Sequence, residues 1–164
     1  AGGAAGGGEG AAAPQVVSEV AAALVAAGHE VHVFVRSSRA GHWDRGRGEV
    51  CYHEVFSRSH PDFVREVEDF NGALVSAVLS WEASHEPFDL FHGHDWLVGP
   101  ACTRLRKEGD GSRRVVFTMH SFAEAGRTAQ IEAEACRTAD RVVVASAADA
   151  AEARSRHGAL GGGG

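Results

Sequence analysis

The sequence is poor in cysteine and in positive charge, and each shortage excludes a class of protein. Only three of the 164 residues are cysteines, and no two of them form a CxxC pair. An odd number of widely spaced cysteines argues against a disulfide framework and against a cysteine-based structural zinc site. The 16 Lys and Arg are outnumbered by 22 Asp and Glu. The chain therefore has no basic field to hold a phosphodiester backbone, and no nucleic-acid partner is expected.

Long apolar runs and leader-like features are also missing. No stretch approaches the roughly 20 consecutive apolar residues of a membrane span. Residues 1–8 lack the basic residues that begin a signal peptide. We therefore expect no membrane span and a reducing, cytoplasmic location, with a plastid as the alternative compartment.

Glycine is concentrated at the two ends of the chain, which have few side chains to bury. We expect a disordered glycine-rich head over 1–10, a folded domain over 11–160 and a glycine tail over 161–164. The head also offers backbone N–H groups ahead of a helix, at Gly8 and Gly10, which is a weak signal for a donor diphosphate. Neither GxGxxG nor GxxxxGK[ST] is matched there.

The folded part alternates between helical and strand-like patterns. Helices are predicted at 15–27, 62–83, 96–107, 128–138 and 147–156, and strands at 30–36, 49–56, 88–92, 114–119 and 141–146. Glycine, serine and charged residues predict a loop over 37–48. This alternation predicts an α/β domain with a Rossmann-like parallel sheet covered by helices.

One strand of such a sheet is missing from the sequence pattern. A sheet of this kind usually opens with a central strand before its first helix. The residues before Pro14 are mostly glycine and alanine and have no β propensity. We expect the sheet to lack its first strand.

Polar residues follow two of the predicted strands and form the candidate site. The strand at 88–92 leads into His94, Asp95 and Trp96, and the strand at 114–119 leads into His120 and Ser121. Ligands bind at the carboxyl ends of parallel strands, so these residues are expected to meet at one edge of the sheet. A carboxylate and an imidazole together suit a polyhydroxylated substrate.

Each of these residues also has a simpler interpretation. Asp95 is predicted to be the N-cap of the helix at 96–107, with or without a further role. His94 and His120 also fit partly exposed histidines that satisfy backbone groups, and Trp96 fits a core position. Gly93 is interpreted as a point where a backbone or ligand comes close.

A metal site is a second interpretation of the same strand ends. Nitrogen and oxygen ligands suited to zinc or iron are offered by His92, His94, Asp95 and His120. The pattern lacks the further ligand that would close the site, so no metal is expected. No role is assigned to the other histidines, which are scattered without spacing: His29, His32, His42, His53, His60, His85 and His157.

Several segments, in this order, carry a family resemblance: AAAPQVVSEVAAALVAAGHEVHVFVR, HPDFVREVEDFNGAL, EPFDLFHGHDWLVGPA, VVFTMHSFAEAGR and IEAEACRTADRVVVASAA. The chain resembles the N-terminal half of glycosyltransferase family 4 enzymes, in particular the glycogen and starch synthase-like members. The HxHDW segment and the TMHS…GR segment are the most specific parts of this resemblance.

The resemblance implies the first of the two Rossmann-like domains of a GT-B fold. That domain binds mainly the carbohydrate acceptor, and a missing C-terminal domain would bind a nucleotide-sugar donor such as ADP-glucose or UDP-glucose. Transfer would retain the anomeric configuration, with no cofactor and no catalytic metal. The chain by itself is then expected to be an inactive fragment.

The resemblance also implies roles for individual residues. His120 would contact the transferred sugar and Asp95 would lie on the acceptor side, supported by His94 and Trp96. The other residues that would contact substrate are Ser121, Gly126 and Arg127, with Gly8 and Gly10 at the donor diphosphate. A non-catalytic sugar- or nucleotide-binding module with a flavodoxin-like sheet is the alternative function.

Overall fold

The structure is a computed structural model that describes residues 12–38, 41–44, 49–109 and 111–158. Gly8, Gly10 and the glycine tail lie outside the described residues. The helices are α1 (Ala12–Ala26), α2 (Phe63–Glu82), α3 (Gly99–Glu108), α4 (Arg127–Thr138) and α5 (Ala147–His157), with a one-turn 3-10 helix at Trp96–Val98. The strands are β1 (His32–Ser37), β2 (Gly41–Asp44), β3 (Cys51–Phe56), β4 (Leu90–His94), β5 (Arg114–Met119) and β6 (Arg141–Val144). The predicted α/β class is confirmed.

The strands form two three-stranded sheets, and the chain divides into two compact units. The first unit holds α1 and most of the sheet ordered β1-β3-β2, and the second unit holds α2 to α5 and the sheet ordered β4-β5-β6. In the second unit β4, β5 and β6 are all parallel, as the alternation of helices and strands predicted. None of the described helices is long and apolar enough to cross a membrane.

The first sheet differs from the prediction at β2. This strand lies in the segment predicted to be a loop, and it pairs antiparallel with β3, from Gly41 opposite Glu54 to Asp44 opposite Cys51. The glycine and serine residues around it are typical of a loop, so the local sequence does not indicate this four-residue strand. The strand forms because β3 supplies its hydrogen-bond partners. The first sheet is therefore not purely parallel.

The second unit is built around the central strand β5. Val115 and Phe117 of this strand are fully buried, and Met119 is 4 % exposed. Cys102, Ala135, Cys136 and Ala153 pack around them from the helices. Burial raises the pKa of the Cys102 and Cys136 thiols to about 12, so these two cysteines act as small apolar core residues.

A buried asparagine fixes the segment that follows β4. Asn71 of α2 is completely buried, and its amide nitrogen donates to the carbonyl oxygens of Val67 and Leu97, each at 2.7 Å. Its amide oxygen accepts from the backbone N–H of Ala101 at 2.8 Å. Since every polar atom of this side chain is paired, α2 holds the 3-10 helix and the start of α3 in one position.

Candidate functional site

The candidate site lies at the carboxyl ends of β4 and β5, which are neighbouring parallel strands. His94 of β4 is opposite Thr118 of β5 in the register. Strand β4 begins and ends two residues later than predicted, so Gly93 and His94 also belong to the strand. The ladder with β5 extends β4 to this point, and that ladder is not visible in the local sequence.

Asp95 joins the two strand ends through its side chain. Its Oδ1 atom accepts hydrogen bonds from the backbone N–H of His120 at 2.8 Å and of Ser121 at 3.3 Å. Its own backbone N–H donates to the carbonyl oxygen of Thr118 at 2.8 Å. The prediction that the two polar clusters meet at one sheet edge is consistent with these contacts.

Asp95 occupies the N-cap position as predicted, but the side-chain cap expected there is absent. Its side chain makes no cap hydrogen bond to the 3-10 helix, and α3 begins only at Gly99. Instead, one oxygen of the carboxylate accepts hydrogen bonds from two backbone donors, the N–H groups of His120 and Ser121. A charge-assisted hydrogen bond of this kind is stronger than a neutral one.

The backbone of Asp95 is strained. Its φ of 64° and ψ of 164° make it the one non-glycine residue with positive φ in the described part of the chain. This region is essentially reserved for glycine and costs on the order of 1–3 kcal/mol. Strain of this size persists at functional sites where the surroundings hold it, and here the hydrogen bonds to Thr118, His120 and Ser121 do so.

Three imidazole rings stack on one another at the same two strand ends. His92 and His94 alternate along β4 and share one face, with ring centroids 4.2 Å apart. His94 Nδ1 lies 3.0 Å from His120 Nε2, and these two rings are nearly parallel. His92 Nε2 is hydrogen-bonded to Thr118 Oγ1 at 2.7 Å. The structure thus brings His94 and His120 into direct contact, and it adds His92 and Thr118 to the site.

Burial, with smaller contributions from the neighbouring rings of His92 and His120, lowers the pKa of His94 to about 4. The pKa of His92 is also lowered, first by burial and then by His120. Both rings are therefore neutral near pH 7, and each neutral ring has one donor and one acceptor nitrogen. Neutral rings of this kind can hydrogen-bond to hydroxyl groups without bringing positive charge to them.

The low pKa of His94 predicts a loss of stability in mild acid. The unfolded chain takes up a proton on this ring near pH 6.5 and the folded chain only near pH 4, so the free energy of unfolding falls as the pH drops through this interval. Urea unfolding at a series of pH values measures this slope. His94→Gln is expected to have a shallower slope than the wild type, and the exposed control His85→Gln an unchanged one. Equal slopes in all three proteins would contradict the prediction.

Gly93 allows close packing of core side chains next to the site, and it does not make room for a ligand. A Cβ atom at this position would lie 2.5 Å from Cys102 Sγ and 3.3 Å from Phe117 Cδ2, both core atoms. The interpretation of Gly93 as a place where a ligand comes close is therefore wrong, because the space beside it is filled by side chains of the second unit's core.

Gly93→Ala is expected to lower the free energy of unfolding by about 1–3 kcal/mol, the usual effect of an extra methyl group in a packed core. Chemical denaturation measures the loss. The double variant with Cys102→Ala should lose less than the sum of the two single variants, because it removes the sulfur that the new methyl group meets. Additive losses would show that this contact is not the cause.

The other predicted site residues lie around this cluster with different surroundings. Trp96 is half-buried, and its ring packs edge-on against Phe63 at the start of α2, with centroids 5.8 Å apart. Phe63 is itself 53 % exposed, so this contact lies at the surface, and the core interpretation of Trp96 is not supported. Ser121 is exposed. Gly126 has a φ of 71° and precedes α4, and the exposed Arg127 has its Nη2 atom 3.9 Å from Glu68 Oε1. No hydrogen bond between described residues connects Gly126 or Arg127 to the histidine cluster.

The alternative metal set is not assembled as a group. Within the described residues, His92, His94, Asp95 and His120 do not bring three ligand atoms together at one point. The hydrogen bonds that the structure shows among them are the His94 to His120 bond and the bond from the His120 backbone to Asp95, and the His92 and His94 rings are stacked.

A buried glutamate that the sequence did not single out holds the loop beyond His120. Glu132 of α4 is 1 % exposed, and its Oε2 atom accepts from the backbone N–H of Ala123 at 2.7 Å. Its Oε1 atom lies 2.9 Å from His157 Nε2 at the end of α5. An acidic residue within a polar helix gives no sequence signal of burial, so only the packing shows this role.

Comparisons with known proteins identify the family. The family model for Glycosyltransferase Family 4 matches residues 13–160, nearly the whole chain. The chain is 32 % identical over 118 residues to a D-inositol 3-phosphate glycosyltransferase of Arthrobacter sp. (strain FB24), covering 66 % of this chain and 26 % of that protein. The chain therefore spans about a quarter of the length of this relative.

Solved structures share the fold. A chain of sucrose-phosphate synthase from Thermosynechococcus elongatus superposes with a TM-score of 0.72 at 21 % identity, covering 90 % of this chain and 80 % of that chain. A second structure of sucrose-phosphate synthase from the same organism gives a TM-score of 0.69 at 22 % identity, covering 86 % of this chain and 38 % of that chain. The predicted fold, a Rossmann-like domain of the GT-B type, is confirmed. The protein belongs to glycosyltransferase family 4.

Proposed function

We propose that this chain is the acceptor-side domain of a retaining glycosyltransferase that moves a hexose, glucose in the first instance, from a nucleotide-sugar to a glucan or a related acceptor. Membership of the family supports glycosyl transfer. The donor, the acceptor and the stereochemistry are proposals that follow from the resemblance to glycogen and starch synthases.

The observation that carries the proposal is the hydrogen bond from the His120 backbone to Asp95 Oδ1. It ties the backbone of His120 to the Asp95 carboxylate at the carboxyl edge of two parallel strands, which is where ligands of α/β sheets bind, and this supports the proposal that the two residues serve one site. A hexose presents hydroxyl groups, each of which donates one hydrogen bond and accepts others. The Asp95 carboxylate accepts from such hydroxyls, and the neutral rings of His92 and His94 offer the complementary donors and acceptors.

In this proposal the residues divide between the two sugars. His120 contacts the transferred hexose, and Asp95 faces the acceptor, with His94 holding the His120 ring through their 3.0 Å contact. Ser121, Gly126 and Arg127 follow in the same loop and complete the acceptor side. Gly8 and Gly10 remain a proposal for the donor diphosphate.

The transfer itself breaks the bond between the donor C1 atom and the diphosphate oxygen. A new bond forms between C1 and an acceptor hydroxyl oxygen on the same face of the sugar, and the hydroxyl proton leaves with the nucleoside diphosphate. The contribution of Asp95 and His120 is to orient the two sugars and to stabilise the charge that develops on the hexose.

The test is an assay of the complete polypeptide that carries this chain. ADP-glucose and UDP-glucose are each offered with maltooligosaccharides and with D-inositol 3-phosphate, the acceptor that the Arthrobacter relative's name suggests. We expect glucosyl transfer with an α-configured product, read from the anomeric proton signals. An inverted product would overturn the proposed retaining mechanism. A complete absence of transfer to any of these acceptors would overturn the proposal that the polypeptide is a glucosyl-transferring enzyme.

Calorimetry on the 164-residue chain separates the alternative function. The glycosyltransferase proposal predicts weak or no binding of ADP-glucose and UDP-glucose to this chain alone. Tight binding of either by the chain, together with no transfer by the complete polypeptide, would favour the non-catalytic binding module.

A further inference from the structure

A second cluster of chemistry-bearing side chains lies in the first unit, in residues to which the sequence pattern assigned no role. His32 belongs to β1, and Cys51 and His53 belong to the neighbouring strand β3. Since side chains two positions apart on a strand share a face, Cys51 and His53 point to the same side. One ligand atom from each of the three residues lies within 4.8 Å of the other two.

The atoms that converge are two imidazole nitrogens and one sulfur. His32 Nδ1 lies 2.8 Å from His53 Nε2, and Cys51 Sγ lies 3.5 Å from the same His53 Nε2. In a tetrahedral zinc site, Zn–N bonds of about 2.0–2.1 Å and a Zn–S bond of about 2.3 Å put two nitrogens about 3.3 Å apart and a nitrogen and a sulfur about 3.6 Å apart. The two distances that involve His53 are therefore within about half an ångström of their values in a zinc site, and the third, between His32 and Cys51, is at most 4.8 Å and would have to shorten towards about 3.6 Å when the metal binds.

The surroundings orient these groups as they do in metal sites. The side chain of His32 is 5 % exposed, and its other nitrogen, Nε2, lies 2.9 Å from Glu30 Oε1. A metal-bound histidine commonly donates its second N–H to a carboxylate, which fixes the ring and raises its basicity as a ligand. The His53 ring stacks on Phe34, with centroids 4.2 Å apart and the planes 8° from parallel. These contacts hold both rings in place, with His53 Nε2 between His32 Nδ1 and the sulfur of Cys51.

The burial and the chemistry of these three side chains indicate which metal ion suits them. Cys51 and His53 are 7 % and 6 % exposed, so the cluster is shielded from bulk water. Thiolate and imidazole are poor ligands for magnesium and calcium, which prefer oxygen, and they suit zinc. Three protein ligands leave one corner of the tetrahedron for water or for a fourth group.

We propose that His32, Cys51 and His53 form a zinc site that ties β1 to β3 within the first unit. The site is separate from the residues of the proposed sugar-binding cluster, and its role is to stabilise the fold of the first unit. When zinc binds, the Cys51 thiol releases its proton to solvent and the thiolate ligates the metal. The proposal does not rest on the proposed glycosyl transfer.

The test uses the untagged 164-residue chain, stripped of metal with a chelator and titrated with Zn²⁺ and with Co²⁺. We expect one tightly bound ion per chain, a zinc-dependent rise in the midpoint of thermal unfolding, and a thiolate-to-cobalt charge-transfer band in the near ultraviolet. The band is the discriminating signal, because weak binding to exposed histidines does not produce it. A wild-type chain that shows no band and no stoichiometric zinc would overturn the proposal and leave a hydrogen-bonded histidine pair in its place.

Variants assign the site to these residues. Cys51→Ser, which preserves the size of the side chain, should abolish the band, and Cys136→Ser, which changes a buried thiol of the second unit, should leave it intact. Glu30→Ala should weaken zinc binding about 10-fold through the orientation of His32, whereas Glu19→Ala on α1 should not change it. Circular dichroism of the metal-free variants shows whether each still folds. An unchanged band in folded Cys51→Ser would overturn the assignment, as would its loss in Cys136→Ser.

Discussion

Asp95→Ala is expected to lower the turnover of the complete enzyme by about 100-fold, the usual cost of losing a contact that stabilises the transition state. The substitution removes the acceptor of two backbone N–H groups, those of His120 and Ser121. It also leaves alanine in a backbone conformation with a φ of 64°, which alanine tolerates poorly. His120→Ala should have an effect of similar size, because it removes the imidazole proposed to contact the transferred hexose. Initial rates with saturating donor and acceptor measure both effects.

Asp95→Asn separates two possible contributions of this side chain. Asparagine keeps a carbonyl oxygen that can accept from His120 and Ser121, so it preserves the position of the loop while removing the charge. A large loss of turnover in Asp95→Asn would show that the charge acts on the substrate, and near-normal turnover would show that Asp95 only positions His120. The exposed residues Asp69 and His29 provide matched controls, whose alanine variants should keep wild-type rates. Near-normal rates in both Asp95→Ala and His120→Ala would refute the assignment of the site.

The elements that local sequence determines were predictable. The β-branched run at 114–119 gave strand β5 with the same bounds, Arg114–Met119, because its apolar residues fill a position buried on both faces. The helix predicted at 62–83 is α2, Phe63–Glu82, and Asp62 caps it by accepting from the backbone N–H of Val64 and Arg65. In these places periodicity and capping chemistry agree with the tertiary structure.

The meeting of Asp95 with His120 was predictable only in part. Strand ends of a parallel sheet share an edge, and this rule alone placed the two residues together. Their detailed relation was not predictable, because the partner of the Asp95 carboxylate lies 25 positions away in the sequence. The local pattern favoured a side-chain cap on the following helix. The Asp95 carboxylate makes long-range hydrogen bonds instead, because these satisfy two backbone donors and hold a strained residue.

Polar residues that are buried by packing were missed for a similar reason. Asn71 and Glu132 sit in helices whose patterns are typical of exposed polar positions, and their partners come from other segments. His32 and His53 come together because β1 and β3 are neighbouring strands. Which strands are adjacent cannot be predicted from the local sequence, so this cluster was missed. A register between distant strands has no local signal, so clusters that depend on it are seen only in the structure.

Glu132→Ala is expected to lower the free energy of unfolding by about 2–6 kcal/mol, because it leaves two buried groups without their hydrogen-bond partner, at about 1–3 kcal/mol for each. Glu132 is 1 % exposed, and its loss leaves the backbone N–H of Ala123 and the Nε2 atom of His157 without their partner. Ala123 is itself 4 % exposed, so water does not readily replace the missing acceptor. Urea denaturation of the 164-residue chain measures the change.

Two variants make this prediction specific. Glu132→Gln keeps an acceptor for the Ala123 N–H and should lose distinctly less stability than Glu132→Ala. Glu134→Ala, on the same helix, removes a half-exposed carboxylate that lies 3.8 Å from Arg137 and should change stability by no more than about 0.5 kcal/mol. A loss below about 1 kcal/mol in Glu132→Ala would contradict the prediction. Ala123 follows His120 and Ser121 by only a few residues in the same loop. Two carboxylates from different segments therefore hold this loop, Asp95 at its start and Glu132 at Ala123. The same substitution should for this reason also loosen the loop.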